Sequence, residues 1–211
     1  MPIESIHIEN FISLSREWPV FDVRSPSEYL HAHIPGAFSL PIFSDEQRKV
    51  IGTAYKKESR EKAVHYGLNY FSERMKSVLE EVKNILEKDS PFSEQKILLH
   101  CWRGGMRSQT MAWLLSLYGY QVFLLDGGYK SYRNWTLAQF EKKYPLKILG
   151  GYTGSGKTET LLEMKRQGLS VIDLEGIAHH KGSAFGSLGQ GAQPSQEMFE
   201  NILEKDSPFS E

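Results

Sequence analysis

The sequence predicts an α/β fold, with a parallel sheet flanked by helices followed by the beginning of a second α/β domain. Short apolar runs alternate with stretches of helical spacing along most of the chain, which is typical of such a sheet. A glycine-rich phosphate motif directly follows a strand-like run late in the chain. A chain of 211 residues has room for one ordinary domain and part of another. Its content of 40% hydrophobic residues excludes a mainly disordered chain.

The elements of the first domain follow from these apolar runs. Buried-type runs predict strands at Val20–Val23, Lys96–His100 and Val122–Leu125. Helical spacing predicts helices at Ser27–Leu30, Ser72–Leu86, Ser108–Tyr118 and Trp135–Lys143. Gly119 ends the third of these helices, and Pro145 follows the fourth. The first domain is therefore expected to span residues 1–144.

The second domain is expected to begin at residue 145 and to run to about residue 200. Its predicted elements are a strand at Leu146–Leu149, a helix at Glu159–Gln167 and a strand at Leu169–Glu175. Domains usually take ~100 to 200 residues, so we expect this one to be incomplete.

The last eleven residues are a copy of an earlier segment. Residues 201–211, NILEKDSPFSE, repeat residues 84–94 without a change, while the flanking sequences share almost nothing. Structural repeats normally show graded similarity over longer periods. We interpret the copy as a sequence artefact of a truncated reading frame and assign it no function.

The overall composition excludes several classes of protein. A formal charge of -1 and a pI near 6.7 do not indicate a polyanion-binding protein, so any nucleic-acid site must be a local patch. One cysteine, Cys101, excludes an intrachain disulfide framework and a cysteine-cluster metal site, and we expect no metal centre. No apolar run approaches the ~20 residues that span a bilayer, and the first residues do not form a signal peptide. We expect a cytoplasmic protein.

The loop around Cys101 has the composition of an anion site. It joins the strand ending at His100 to the helix beginning at Ser108 and contains Gly104 and Gly105. Backbone N–H groups of such a loop and the helix N-terminus favour an anion, and Arg103 and Arg107 add full positive charges. These groups also favour the thiolate, so Cys101 is expected to be a nucleophile.

Two chemistries fit this loop. Its pattern H-C-x-x-G-x-x-R-S matches the protein tyrosine phosphatase signature, in which the cysteine attacks phosphorus and the arginine binds the phosphoryl oxygens. It also fits a rhodanese-type loop, in which the thiolate accepts sulfur or selenium and the backbone N–H groups hold the resulting anion. The motif alone leaves both open.

Residues 151–158, GYTGSGKT, form a phosphate-binding motif of the Walker A type. We expect the phosphate ligands to be backbone N–H groups and side chains of Gly151, Gly154, Ser155, Gly156, Lys157 and Thr158. Thr158 is also suited to binding Mg²⁺. Asp173 and Glu175, at the end of the following predicted strand, are expected either to bind Mg²⁺ or to contact the substrate. His179 and His180 have no third ligand nearby, so a zinc site is not expected.

The segments around Cys101 resemble the rhodanese family. Residues 22–29 and 31–37 resemble its upstream signature, and residues 125–128 resemble its closing one. From the residues alone, Asp22 and Arg24 are interpreted as a buried pair and Pro35-Gly36 as a turn. Phosphatases of the rhodanese fold share the upstream signature, so phosphatase activity remains an alternative.

A rhodanese-like domain followed by a Walker A motif resembles the family of the tRNA 2-selenouridine synthases. Residues 127–133 and 173–186 agree with that family as well, and the resemblance covers residues 1 to about 200. It implies a transferase that converts wobble 2-thiouridine of tRNA to 2-selenouridine. The implied co-substrates are selenophosphate and geranyl diphosphate. Geranyl diphosphate would supply the geranyl group of an S-geranyl intermediate. The resemblance implies no tightly bound cofactor. A selenophosphate-supplying enzyme is an implied partner, and a non-catalytic, anion-binding remnant is a further alternative.

Contacts with RNA are expected near the loop and in one basic segment. Trp102 lies beside Cys101, where a flipped-out base must arrive. Lys56, Lys57 and Arg60 belong to a stretch in which basic residues alternate with tyrosines, although a solvated helix face explains the same pattern.

Overall fold

The computed structural model describes residues 3–88, 95–152, 154–181, 186 and 189–206. The chain divides into two compact units, Met1–Arg133 and Asn134–Glu211. Within the described residues, no helix combines the length and the apolarity that crossing a bilayer requires.

The first unit contains a parallel sheet, as predicted, and this sheet has five strands. The strands lie in the order β1-β5-β4-β2-β3, and every neighbouring pair runs parallel. Their bounds are Ile3–Ile6 (β1), Val20–Asp22 (β2), Phe38–Ser39 (β3), Lys96–His100 (β4) and Gln121–Leu125 (β5). The runs predicted for β2, β4 and β5 form strands, whereas the short edge strands β1 and β3 were not predicted.

Six helices flank or extend from this sheet. Their bounds are Ile8–Leu14 (α1), Pro26–His31 (α2), Asp45–Lys57 (α3), Arg60–Lys88 (α4), Met106–Tyr118 (α5) and Gly128–Phe140 (α6). Gly119 ends α5 in the left-handed conformation, as its position predicts. Helix α6 begins at Gly128 and not at Trp135, and α4 begins at Arg60 and not at Ser72, so the predicted starts of both were wrong.

The core of the first unit is packed between the sheet and its helices. Inward-facing sheet residues such as Phe21, Ile97 and Leu99 are fully buried against Met111 and Leu115 of α5. The central strands β4 and β5 are buried along nearly their whole length, as expected for a parallel sheet covered on both faces. This packing fixes the carboxyl end of β4, where Cys101 follows.

The regular secondary structure described for the second unit is all helical. It consists of the end of α6 and of α7 at Lys157–Arg166, α8 at Leu174–Ala178 and α9 at Gln196–Lys205. The predicted strands at Leu146–Leu149 and Leu169–Glu175 are wrong, because neither run forms a strand. Ile148 is 95% exposed, and no described strand pairs with its segment. An apolar run without a neighbouring strand has no partner for its backbone hydrogen bonds.

The copied segment is helical in both places where the structure describes it. Residues 201–205 end α9, and residues 84–88 end α4. The shared residues Asn-Ile-Leu-Glu-Lys include strong helix formers, so the same local preference operates twice. Residues 89–94 and 207–211 lie outside the described part of the chain.

Candidate active site

Cys101 stands at the junction between β4 and α5. The strand ends at His100, and α5 begins at Met106 behind the N-cap residue Gly105. The thiol therefore lies at the carboxyl edge of a parallel sheet and at a helix N-terminus, where backbone N–H groups are unpaired and an anion is favoured. Cys101 is 3% exposed.

The surroundings of Cys101 favour its thiolate. Burial by itself raises the pKa of the thiol, but the hydroxyl of Ser108, backbone N–H groups and the charge of Arg107 outweigh it and lower the pKa below its ordinary value. The Sγ of Cys101 is 3.2 Å from Oγ of Ser108, whose hydroxyl also lies 3.1 Å from the carbonyl oxygen of Gly105. Because the thiolate is the reactive form, this environment activates Cys101 as a nucleophile.

The Gly127-Gly128 turn supports the cysteine loop from one side. The backbone N–H of Tyr129 donates to the carbonyl of Cys101 at 2.8 Å, and that of Lys130 donates to the carbonyl of Trp102 at 3.0 Å. A Cβ on Gly128 would lie 2.6 Å from the backbone nitrogen of Gly104, and Gly128 has a φ of +60°. Only glycine therefore fits this approach.

A buried ion pair lies next to the loop. The guanidinium of Arg24 donates to both carboxylate oxygens of Asp22 at 2.6 to 3.0 Å and to the carbonyl of Ala32 at 2.7 Å. It also lies 3.7 Å from the ring centre of Tyr129. Asp22 and Arg24 are 0% and 1% exposed, which confirms their interpretation as a buried pair. The pair ties the end of β2 to the turn that supports Cys101.

His100 is a buried neighbour of Cys101 that the sequence analysis did not single out. Its Nδ1 lies 3.8 Å from Oδ1 of Asp22, and its ring packs near those of Phe11 and Tyr129. Burial lowers the pKa of His100 more strongly than the nearby Asp22 carboxylate raises it. His100 is therefore neutral at physiological pH.

The two arginines of the loop have different surroundings. Arg103 is exposed to solvent. Arg107 is partly buried, and its Nη1 donates to Oε2 of Glu28 at 2.8 Å. Glu28 belongs to α2 and was not predicted as a site residue. Its sequence signals are its place in residues 22–29, which resemble the upstream rhodanese signature, and the capping pattern that it forms with Ser25.

The candidate RNA contacts occupy two kinds of position. Trp102 is half-buried, and its ring packs at 5.6 Å from that of Tyr129. Lys56 and Lys57 are the last residues of α3, and Arg60 is the first residue of α4. All three side chains are exposed and flank the short connection between the two helices. A role in RNA binding stays a prediction for all four residues.

The glycine-rich phosphate loop precedes α7. Gly156 is the N-cap of this helix, and Gly154 and Gly156 have φ values of +80° and +78°. The Nζ of Lys157 donates to the carbonyls of Gly151 and Tyr152 at 3.0 and 2.9 Å, so the lysine folds back over its own loop. Thr158 lies in the first helical turn, and Ser155 lies between the two glycines. Thr153 lies outside the described residues.

Asp173 and Glu175 are not at the end of a strand, contrary to the prediction. Asp173 is the N-cap of α8, and its Oδ1 accepts from the backbone N–H of Gly176 at 3.0 Å. Glu175 lies in the first turn of that helix. The Nδ1 of His179 is 2.7 Å from the carbonyl oxygen of Ala192. Residues 182–185 of this segment lie outside the described part.

The parallel sheet and the loop around Cys101 define a rhodanese-like domain. The rhodanese-like domain model matches residues 9–134, and the chain belongs to this family. A second model, the tRNA 2-selenouridine synthase AAA domain, matches residues 144–207. The two domains follow each other in the order that the sequence motifs predict.

Similar proteins confirm the predicted resemblance to the tRNA 2-selenouridine synthases. Curated relatives with this name include one from Shewanella pealeana, 37% identical over 90% of this chain, and one from Sulfurovum sp., 39% identical over 89%. The chain spans about half the length of these relatives, 50% in both cases.

A solved structure is also similar to a large part of this chain. The N-terminal domain of a putative ATP/GTP binding protein from Clostridium difficile 630 is 36% identical, with a TM-score of 0.55. The match covers 64% of this chain and 99% of that domain.

Proposed function

We propose that this chain provides the cysteine loop and the phosphate loop of a transferase that converts wobble 2-thiouridine of tRNA to 2-selenouridine. The observation that carries the proposal is the activated thiol of Cys101 at the N-terminus of α5, in a rhodanese-like domain followed by a phosphate loop. Relatives that match about 90% of this chain are named tRNA 2-selenouridine synthase, which supports tRNA as the substrate.

The proposed reaction proceeds in two steps. The sulfur of 2-thiouridine first attacks C1 of geranyl diphosphate, the C–O bond breaks, and diphosphate leaves. A selenium nucleophile from selenophosphate then attacks C2 of the base, and geranylthiol leaves. Water takes up the phosphoryl group, so the products of the two steps are selenouridine, geranylthiol, diphosphate and phosphate. No oxidant or reductant is needed.

Each loop of the chain suits one of these reactants. The inward N–H groups of the loop at Cys101 would bind selenophosphate, and Arg103 would attract its charge. The thiolate would attack phosphorus so that the selenium nucleophile leaves, and water would then take the phosphoryl group from the cysteine. The backbone N–H groups after Gly151, with Lys157 and Thr158, would hold a diphosphate, with Mg²⁺ as an additional ligand. Trp102 and the cations at Lys56, Lys57 and Arg60 are the candidates for tRNA contact. A selenophosphate-supplying enzyme in the same cytoplasm would be the natural partner.

The test is selenium incorporation by the chain in a bacterium that lacks its own 2-selenouridine synthase. Mass spectrometry of tRNA nucleosides is expected to detect selenouridine with the unaltered chain and none with Cys101→Ser, because a serine hydroxyl is a much weaker nucleophile than the thiolate. Selenouridine at the same level from Cys101→Ser would contradict the role of the thiol. No selenouridine from the unaltered chain would contradict the proposed activity.

A cysteine phosphatase is the second candidate, and the C-x-x-x-x-x-R-S sequence beginning at Cys101 favours it. Purified chain and Cys101→Ser are to be compared with p-nitrophenyl phosphate as substrate. Rapid hydrolysis that depends on Cys101 would favour the phosphatase, and its absence would favour transfer of selenium or sulfur.

A further inference from the structure

Lys130 is an exposed cation of α6 beside the cysteine loop, and the proposed chemistry has no role for it. We infer that Lys130 binds a phosphate of single-stranded RNA and thereby places a splayed-out base on the ring of Trp102, next to Cys101. The inference rests on the proposed function, because it takes tRNA as the substrate. Its experiment measures RNA affinity and no selenium transfer, so a failure of the one is distinguishable from a failure of the other.

The ring of Trp102 is supported from within the domain and open to solvent elsewhere. Its centre lies 5.6 Å from the ring centre of Tyr129 and 5.8 Å from the guanidinium carbon of Arg24. Tyr129 and Arg24 are 0% and 1% exposed, whereas Trp102 is half-buried, so the exposed part of the indole faces away from both. A ring that is already held in place loses little entropy when a base stacks on it. Trp102 is thus a preformed stacking surface beside the nucleophile.

Lys130 is joined to Trp102 through the backbone. Lys130 is the third residue of α6, and its backbone N–H donates to the carbonyl of Trp102 at 3.0 Å. Its long side chain starts at this hydrogen bond and can reach a phosphate of a nucleotide that stacks on the indole. Stacking of bases on aromatic rings, combined with cations that bind the backbone, is how proteins recognise single-stranded RNA.

The charge of Lys130 is available to a phosphate. In the part of the chain that the structure describes, Lys130 forms no ion pair. The acidic residue nearest to it in sequence is Asp126, whose Oδ2 lies 3.8 Å from Nδ1 of His7. By contrast, Arg107 of the cysteine loop is paired with Glu28. An RNA phosphate near Trp102 would therefore meet an uncompensated cation at Lys130.

The stability of α6 gives no reason for a lysine at this position. Lys130 lies in the first turn of the helix, where the helix dipole leaves a partial positive charge and disfavours a cation. Acidic residues are the ones that stabilise a first turn, and α6 has none there. Replacing Lys130 by alanine should consequently leave the domain folded, so a change in RNA affinity reports on the contact itself.

The experiment measures RNA binding by the full chain with fluorescence anisotropy. The probe is a fluorescein-labelled tRNA anticodon stem-loop with 2-thiouridine at the wobble position, and a fully paired RNA of the same length is the comparison. The variants are Lys130→Ala, Lys130→Arg and Trp102→Leu. Lys76→Ala is the matched control, because it removes the same charge from a 90% exposed position of α4 in the same unit.

We expect Lys130→Ala to raise the Kd for the stem-loop at least about threefold and to reduce the slope of log Kd against log salt concentration by about 0.7, the value for one phosphate contact to a single strand. Lys130→Arg keeps the charge and is expected to change neither. Trp102→Leu is expected to raise the Kd about tenfold without changing the slope, because it removes stacking and no charge. Lys76→Ala is expected to change the Kd less than about twofold.

An unchanged Kd and salt slope for Lys130→Ala would overturn the inference, as would an equal change in Lys76→Ala. Equal losses for the paired RNA would also overturn it, because a base within a duplex cannot stack on Trp102. No measurable binding of the stem-loop by the unaltered chain would overturn it as well. Urea denaturation of Lys130→Ala is expected to match that of the unaltered chain, and a loss of stability large enough to unfold the variant would contradict the position argued for Lys130.

Discussion

Gly128 packs against the backbone of Cys101, and the two residues come from segments that follow adjacent strands, β5 and β4. A side chain on Gly128 would collide with the carbonyl of Cys101 and with the backbone nitrogens of Arg103 and Gly104. The amide of the next residue, Tyr129, donates to that same carbonyl. The conformation of the nucleophile's loop thus depends on the closing turn of the domain.

Gly128→Ala is expected to disrupt this support. The positive φ of +60° and the backbone collisions predict a loss of about 2 to 4 kcal/mol in the free energy of unfolding, measured by urea denaturation. Gly105→Ala is the control, because a Cβ there would meet no atom within 4 Å and its φ of -96° suits alanine. Equal losses for both variants would contradict the packing role of Gly128.

Asp22→Asn is expected to leave the guanidinium of Arg24 buried without its counter-charge. Breaking a fully buried ion pair by neutralising one partner costs about 3 to 5 kcal/mol in the free energy of unfolding. Urea denaturation measures it, and Glu80→Gln, which removes a carboxylate from an exposed pair with Lys76, is the control. A loss no larger than that of the control would show that the Asp22–Arg24 pair does not stabilise the domain.

Ser108→Ala is expected to raise the pKa of Cys101 and to slow its reaction near neutral pH. The variant removes the hydroxyl that lies 3.2 Å from Sγ, while burial of the thiol remains. The rate of iodoacetamide modification against pH gives the pKa directly. Ser72→Ala on the exposed surface of α4 is the control. A profile for Ser108→Ala that matches the unaltered chain would exclude the hydroxyl as a stabilising group for the thiolate.

The sequence predicted those parts of the molecule that local patterns determine. Strands β2, β4 and β5 are apolar runs, and the loop at Cys101 has its glycines and arginines within a few positions. Edge strand β1 escaped prediction because its residues are mostly exposed and its stability comes from pairing with β5. Conversely, the apolar run at Leu146–Leu149 resembles a strand but has no described neighbour to pair with.

The missed parts of the site depend on contacts between distant segments. Glu28 and Arg107 are 79 positions apart, and no pattern in either segment indicates their pairing. His100 lies next to Cys101, yet its burial is known only once β2, α1 and α6 have packed around it. Asp173 was assigned to a strand end because its neighbours are apolar, whereas its short carboxylate caps a helix.

The free energy of unfolding is expected to decrease as the pH is lowered below about 6.5, and His100 is expected to cause part of this decrease. Burial lowers the pKa of His100 in the folded state, so the unfolded chain binds a proton more readily between that pKa and about 6.5. Acid therefore favours unfolding by at most about 1.4 kcal/mol per pH unit for this one group. Burial also lowers the pKa of His33 and adds to the effect.

Urea denaturation at pH 7 and pH 5.5 tests this pH dependence. His100→Gln is expected to lose less stability on acidification than the unaltered chain, and the control His7→Gln, at an 83% exposed position, is expected to lose as much. Equal falls for His100→Gln and the unaltered chain would rule out His100 as a source.

Lys157→Ala is expected to weaken diphosphate binding at the loop before α7. The lysine now donates to the carbonyls of Gly151 and Tyr152, and a bound diphosphate would take its charge while the N–H groups at the start of α7 complete the site. We expect at least a tenfold rise in Kd, which corresponds to about 1.4 kcal/mol, for geranyl diphosphate and inorganic pyrophosphate in isothermal titration calorimetry. Lys143→Ala removes the same charge from an exposed position and is expected to leave both Kd values unchanged. Parallel losses in the two lysine variants would indicate a general charge effect, and undiminished binding by Lys157→Ala would place the diphosphate elsewhere.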